Sequence, residues 1–197
     1  ATKQQNELSR LFTHRSPIEL SGAREHKTRT NRARGNAFYN CTSLKNISGC
    51  NNVTSIGNNA FNNTAITTYV VPNNVATIGE NAFQNCYNLI DVTFSNNLKS
   101  IGNYSFYNCN FLSNVNFGNS ITNIGNQAFF NCNNLDNVVI PDSINFIDSQ
   151  AFLNCSSLKT LTIGSGLNNF GYNPFESTNI TSINVNGNYA LTNLRSL

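Results

Sequence analysis

The sequence has few charged residues, only two histidines, and no methionine or tryptophan. Charged residues make up 11% of its 197 residues, less than half of the usual share. Because the two histidines are His14 and His26, residues 35–197 have no imidazole for acid–base catalysis or metal binding. No apolar run approaches the roughly 18–20 residues of a membrane-spanning helix. The start also lacks the apolar stretch of a secretory signal. If the parent protein is exported, we therefore expect this chain to be a mature or truncated piece of it.

The net charge of +3 divides into two regions of opposite sign. Residues 1–34 hold eight basic and three acidic residues, a net of +5, whereas the remainder holds four basic and six acidic residues, a net of −2. We therefore predict a domain boundary near Gly35. The basic stretch 26–34 has two interpretations: a flexible tail, native or added, or a segment that binds nucleic acid, heparin-like glycans or an anionic membrane.

A repeat of about 23 residues organises the rest of the chain. Phenylalanines recur at steps of 23, 22, 23, 23, 23 and 23 residues, at Phe38, Phe61, Phe83, Phe106, Phe129, Phe152 and Phe175. A representative unit, residues 78–94, reads IGENAFQNCYNLIDVTF, and its frame recurs in the units that follow. The abundant asparagines are interleaved with regularly spaced apolar residues, which favours a folded array over a disordered asparagine-rich tract.

Each unit contains a short segment in which apolar and polar residues alternate, as in a half-buried strand. The apolar positions form triplets such as Leu89/Val92/Phe94, Leu112/Val115/Phe117, Leu135/Val138/Ile140 and Leu158/Leu161/Ile163. A single strand of this kind cannot bury its apolar face, so stacking the units predicts a parallel sheet and one continuous core. We expect the Ala-Phe pair and the preceding Ile to fill this core from the opposite wall. The glycine after that Ile suits a tight bend with positive φ, at Gly57, Gly79, Gly102 and Gly125.

The pattern IGxxAFxNCxxLxxVxI resembles the BspA-like leucine-rich repeats, also described as the Treponema pallidum type. The resemblance covers about residues 35–191, with local departures at Gly49, Thr64, Pro174 and Thr178. It implies a leucine-rich repeat solenoid, a β-rich right-handed stack of about seven 23-residue repeats. The parallel sheet would lie on the concave face, with short turns or helical turns on the other side. Residues 1–34 lie outside the pattern, and residues 192–197 form a truncated end.

Five of the six cysteines recur three residues after the phenylalanine, at Cys41, Cys86, Cys109, Cys132 and Cys155. No C-x₂-C pair is present, so the spacing argues against a zinc site, and we predict a column of small buried side chains. Cys50 lies off this column, too far along the chain to bridge to Cys41, and is predicted to be a free thiol. The asparagine before each column cysteine is expected to bond to the backbone of its turn.

No constellation of catalytic residues is recognisable in the repeats. Asp91 and Asp136 occupy related positions two units apart, but nothing nearby would raise the pKa of either carboxyl. The chain has no phosphate-binding loop and no dinucleotide-binding glycine motif. We therefore predict a non-enzymatic protein with no catalytic, cofactor or metal site.

Binding is predicted on the strand side chains that point away from the core. These positions are small, polar and nearly uncharged, without the aromatic and arginine anchors of most interfaces. The candidates are Thr68, Val70, Asp91, Thr93, Asn114, Asn116, Asn137, Val139, Thr160, Thr162, Ser182 and Asn184. The family resemblance implies a surface-exposed or secreted adhesion module that recognises host matrix proteins or cell-surface ligands. A third hypothesis is a self-associating scaffold, because the end around Leu191, Leu194 and Leu197 has no polar cap.

Overall fold

Within residues 32–33, 35–48 and 50–186, which the computed structural model describes, the chain winds into a stack of parallel β-rungs. The longer strands lie on one wall, where the alternating segments were predicted to form strands. They make two three-stranded parallel sheets, one of β3, β5 and β7 and the other of β9, β11 and β13. Their bounds are β3 Thr68–Val70, β5 Asp91–Thr93, β7 Asn114–Asn116, β9 Asn137–Ile140, β11 Thr160–Ile163 and β13 Ser182–Val185. The predicted solenoid and its parallel strands are confirmed.

The opposite wall holds a second parallel sheet of seven two-residue strands, where only turns were expected. Each of these strands ends on the apolar residue that precedes the glycine position, so its side chain points into the core. Their bounds are β1 Arg32–Ala33, β2 Ser55–Ile56, β4 Thr77–Ile78, β6 Ser100–Ile101, β8 Asn123–Ile124, β10 Phe146–Ile147 and β12 Asn169–Phe170. This short-strand sheet runs without interruption through every rung that the structure describes.

The phenylalanines stack into one column through the centre of the solenoid. Successive rings from Phe38 to Phe175 lie 5.0–5.2 Å apart between centroids, with interplanar angles of 3–17°. All seven side chains are buried, as the repeat predicts. Because each ring packs face to face on its neighbours, the column joins adjacent repeats through offset-stacked aromatic contacts.

A further buried row lies three residues before the apolar residue of each short strand. Its members are Val53, Val75, Leu98, Ile121, Ile144 and Leu167, of which Val53 is 8% exposed and the others at most 3%. Sequence reasoning missed this row, although the spacing L-x-x-I at Leu98 and Ile101 carried the signal. The row fills the corner between the two walls and completes the core.

Ten of the 40 asparagines lie at left-handed positions in the turns that surround the phenylalanines. Every turn has two residues with positive φ, two positions before and two positions after the phenylalanine, and most of them are asparagine. Asparagine visits this left-handed region more readily than other side chains. Four of the asparagines before the column cysteines, Asn40, Asn85, Asn108 and Asn131, bond to the asparagine at the same position of a neighbouring repeat rather than to turn backbone. Asn63 donates to Asn40, Asn108 to Asn85, and Asn131 to Asn108, with N···O distances of 2.9–3.1 Å.

Ser177 occupies this left-handed position in the last turn, with φ of 58° and an exposed side chain. We expect Ser177→Asn to raise the free energy of unfolding by about 0.5–1 kcal/mol, because it relieves backbone strain and brings an amide beside Asn154. Urea denaturation followed by circular dichroism measures this change. Ser177→Ala is the matched control and should give no gain; an equal gain from both variants would contradict the role of the amide.

Gly79, Gly102 and Gly125, which follow short strands, allow close approach between rungs and do not adopt positive φ, which corrects the sequence-based reason. A Cβ atom on Gly79 would lie 2.7 Å from Asn58 N, and one on Gly102 would lie 2.7 Å from the carbonyl carbon of Gly79. Neither glycine has φ in the left-handed region. The turn can nevertheless adjust to a side chain, because Asp148 occupies the equivalent position in a later repeat.

The sheet begins within the basic segment. Strand β1 pairs with β2, Arg32 opposite Ser55 and Ala33 opposite Ile56, and Ala33 is buried. The predictions for residues 1–31, including most of the basic stretch 26–34, lie outside the described residues. The same is true of Gly49 and of the apolar end at Leu191, Leu194 and Leu197.

Candidate binding surface

The outward side chains of the longer strands form one surface, which we call the long-strand face. Pairing in register places the candidate residues in straight rows that run along the solenoid. In the first sheet Thr68, Asp91 and Asn114 form one row, and Val70, Thr93 and Asn116 form the next. In the second sheet the rows are Asn137, Thr160 and Ser182, then Val139, Thr162 and Asn184. The structure therefore brings all twelve predicted residues onto one wall.

The long-strand face is open to solvent and almost free of charge. Nine of the twelve side chains are exposed, and Asp91, Thr160 and Thr162 are half-buried. The carboxylate of Asp91 accepts a hydrogen bond of 2.5 Å from the amide of Asn114. Two aliphatic side chains interrupt the polar rows, Val70 at 72% exposure and Val139 at 49%. The face thus offers hydroxyl and amide groups around isolated apolar contacts.

The two carboxylates considered in the sequence do not share a row. Asp91 lies opposite Asn114, and the equivalent position one rung further is Asn137, so Asp136 precedes the row by one residue. No cluster of three or more His, Cys, Asp or Glu residues suited to a metal ion occurs among the described residues.

Four of the five column cysteines are buried as predicted and take part in hydrogen bonding between rungs, whereas Cys41 is half-buried. All six cysteines are free thiols, and Cys86, Cys109, Cys132 and Cys155 have no exposed surface. Each of these four thiols donates to the carbonyl of the phenylalanine in the preceding repeat, at 3.1–3.3 Å. Burial raises the pKa of all four, to about 12 for Cys155. A thiol with a raised pKa is a poor nucleophile, so the column serves packing.

Cys50 lies away from this column and is half-buried. Burial raises the pKa of its thiol, and the sulfur lies 3.9 Å from the carbonyl oxygen of Ser48. The predicted free thiol at this position is confirmed.

A shallow groove on the short-strand sheet was not predicted. The backbones of Gly79, Gly102 and Gly125 line it, and Phe146 and Asp148 lie along it as well. The groove follows from the glycine positions described above. Because glycine has no side chain, the surface is lower along these positions than at the polar residues beside them.

The repeat frame matches a known family over most of the chain. The family described as "BspA type Leucine rich repeat region" matches in six copies, within residues 27–135 and 77–195. The chain belongs to the BspA-type leucine-rich repeat family. Among proteins of curated function, none matches the sequence of this BspA-type chain.

Solved structures of leucine-rich repeat proteins have the same fold as this BspA-type chain. The Treponema pallidum protein TpLRR is 28% identical with a TM-score of 0.64, and the match covers 72% of this chain and 66% of that one. A Bacteroides ovatus protein is 22% identical with a TM-score of 0.62, covering 76% and 45%. A leucine-rich cell surface protein of Faecalibacterium prausnitzii is 21% identical with a TM-score of 0.52, covering 80% and 64%. The chain thus spans between 45% and 66% of the lengths of these proteins.

Leucine-rich repeat proteins as a class share a general mode of action. Leucine-rich repeat solenoids typically are non-catalytic scaffolds that bind proteins. Within the part of the chain that the structure describes, no helix is long and apolar enough to cross a membrane.

Proposed function

We propose that this chain is a non-catalytic adhesion module of a cell-surface or secreted protein, and that it binds host matrix or cell-surface proteins through the long-strand face. The observation that carries the proposal is the alignment of the outward side chains in rows along each of the two three-stranded sheets. Parallel rows of similar groups allow many weak contacts to act together on an extended partner. The cell-surface description of the Faecalibacterium prausnitzii protein supports the location.

The composition of the face favours hydrogen-bonded recognition. Threonine and asparagine side chains predominate, and Asp91 is the only ionisable residue among the twelve candidates. A partner of either net charge can approach such a surface, and binding should depend little on salt. The exposed aliphatic side chains of Val70 and Val139 supply the apolar contacts.

Charged side chains introduced on the long-strand face, and separately at exposed turn positions, test the proposal. We expect Thr93→Arg combined with Asn116→Arg to reduce binding to immobilised fibronectin and other matrix proteins by at least tenfold, because two like charges would interrupt adjacent rungs. The matched control, Asn88→Arg combined with Asn134→Arg, adds the same charge at exposed turn positions. Surface plasmon resonance measures both, and an equal loss in the two double variants would refute the proposal.

The competing function is polyanion binding through the basic stretch 26–34. A salt series separates the two, since binding through phosphate or sulfate contacts falls steeply with salt whereas hydrogen-bonded recognition by the long-strand face does not. Removal of residues 1–31 should leave matrix binding unchanged. Loss of binding on this deletion would favour the polyanion hypothesis.

A further inference from the structure

The groove on the short-strand sheet, which we call the glycine groove, lies on the wall opposite the long-strand face. Gly79, Gly102 and Gly125 form its floor in three successive rungs, so it runs along the axis of the solenoid. In the next rung Phe146 and Asp148 bound it, and Asp148 there takes the place of glycine. The groove encloses about 360 Å³, at the lower end of the range for small-ligand sites in proteins.

Two asparagine side chains are held beside this floor. The Oδ1 atom of Asn103 accepts a hydrogen bond of 3.0 Å from the backbone N–H of Asn126. The Oδ1 atom of Asn58 accepts one of 3.0 Å from the backbone N–H of Glu80. Glycine in the following rung leaves room for the carboxamide, since a Cβ atom on Gly125 would lie 2.7 Å from Asn103 Oδ1. Among the described residues neither Nδ2 group has a hydrogen-bond partner, so their N–H donors are available to a ligand.

The other side of the floor carries a hydroxyl group, a carboxamide and an aromatic ring in one row. Register pairing places Ser100 beside Asn123 and Asn123 beside Phe146, each in the outward position of its short strand. All three side chains are half-buried and line the groove. A ligand in the groove would therefore meet hydrogen-bonding groups on both sides and one ring at the bounded end.

The ionisable groups of the groove are both acidic. Glu80 is exposed and lies beside the first floor glycine, whereas Asp148 is half-buried and lies at the bounded end. Lys99 is exposed one residue before Ser100, but it does not line the groove. Both carboxylates would repel a ligand that bears phosphate, sulfate or carboxylate groups, and both can accept hydrogen bonds from neutral hydroxyl groups.

The floor offers no open strand edge to a peptide. The backbone N–H groups of Gly79, Gly102 and Gly125 donate to carbonyls of the preceding rung at 2.9–3.0 Å. A peptide that binds by adding a strand needs unpaired backbone groups along a sheet edge. Recognition in the glycine groove therefore depends on side chains, which favours a ligand that carries hydroxyl groups along its whole length.

We propose that the glycine groove binds a neutral, unbranched β-1,4-linked oligosaccharide of pyranose sugars, which lies along the axis of the solenoid. Asn58 and Asn103 lie two rungs apart, about 10 Å. Equivalent groups on alternate rings of such an extended chain are similarly spaced. The Nδ2 groups donate to sugar oxygens on one side, and Ser100 and Asn123 bond to hydroxyl groups on the other. The negative face of the Phe146 ring attracts the C–H groups of a sugar ring at the bounded end.

The ligand class is tested by titrating the ¹⁵N-labelled chain with cellohexaose and with chitohexaose, which share the linkage and differ in the acetamido group. At least one of them should shift the amide signals of Gly79, Gly102 and Gly125 in a saturable way. Maltohexaose contains the same sugar as cellohexaose in α-1,4 linkage, which curls the chain, and should cause no saturable shift. No saturable shift with either β-1,4-linked probe, or binding of maltohexaose as strong as theirs, would overturn the proposal.

Two substitutions test the residues of the groove. Asn103→Asp keeps the acceptor for the N–H of Asn126 but removes the Nδ2 donor, and it should weaken binding of the probe by about tenfold. Phe146→Asn, which places the residue of the preceding rung in the row, should weaken it by a similar factor. Asn169→Asp is the matched control, in the same row one rung beyond the groove, and should bind as the unmodified chain does.

Melting followed by circular dichroism establishes that each variant is folded, and Asn103→Asp alone decides if Phe146→Asn is not. Full-strength binding by Asn103→Asp, or an equal loss in Asn169→Asp, would overturn the proposal. Neither result would affect the proposed function, which uses the long-strand face on the opposite wall.

Discussion

Phe106→Ala should lower the free energy of unfolding by about 3–5 kcal/mol, the range found for large aromatic side chains removed from protein cores. The Phe106 ring is fully buried and lies 5.0 Å from Phe83 and 5.1 Å from Phe129, with the edge of Phe94 5.6 Å away. Alanine at this position leaves a cavity between two stacked rings. The continuous short-strand sheet limits how far the surrounding residues can collapse into this cavity. Urea denaturation monitored by circular dichroism gives the value.

The same substitution should also reduce cooperativity. Each repeat contacts only its neighbours, so a cavity in a central repeat weakens the coupling between the two halves of the stack. We expect a smaller dependence of unfolding free energy on urea, or two separate transitions. Phe111→Ala is the control, because that side chain is 56% exposed and should cost less than about 0.5 kcal/mol. Similar losses for the two variants would contradict the importance of the column.

Alkaline pH should destabilise the domain steeply, because burial keeps the column thiols protonated. Burial raises the pKa of Cys155 to about 12, and the pKa values of Cys109 and Cys132 lie well above the ordinary value of 9.0. Above pH 9 the unfolded chain releases these protons and the folded chain keeps them. Stability is therefore fully present below pH 9 and falls by about 1.4 kcal/mol per pH unit for each thiol as the pH rises toward 12.

Together, three such thiols would lower the free energy of unfolding by roughly 4 kcal/mol per pH unit. This loss is comparable with the whole stability of a small domain. A variant with threonine at Cys109, Cys132 and Cys155 should lose most of this slope. Threonine suits the position, since Thr64 and Thr178 occupy it in other repeats. The buried Cys86 and Tyr69, whose pKa values are also raised, are common to both proteins and leave a residual slope. Urea midpoints measured from pH 7 to 11 would decide, and parallel profiles for the two proteins would refute this account.

Much of the fold could be predicted from the sequence because each structural role recurs at the same place in every repeat. The spacing of Phe83, Phe106 and Phe129 gives the column directly, and the alternation around Val92 predicts which strand residues face outward. The short strands could not be predicted in the same way. A segment of two residues such as Ser100–Ile101 has no periodicity of its own, and it becomes a strand only when the rungs stack.

The division of the longer strands into two sheets, with no pairing between β7 and β9, was beyond sequence reasoning for a related reason. Residues 112–117 follow the same apolar pattern as 89–94, so nothing in their order distinguishes a paired strand from an unpaired one. The candidate surface was predictable as a set of outward positions, whereas the division between its two sheets was not.

The hydrogen bonds that join the rungs run along the axis of the solenoid, and this direction determines how the molecule would respond to a mechanical load. Tension applied between its two ends would act on one rung at a time, so the stack should peel open in steps and not yield as a single body. Each released repeat adds 23 residues of extended chain, a lengthening of roughly 80 Å. A stack built in this way would lengthen by stages under a pull, and the first stage should begin between β7 and β9, which are not paired.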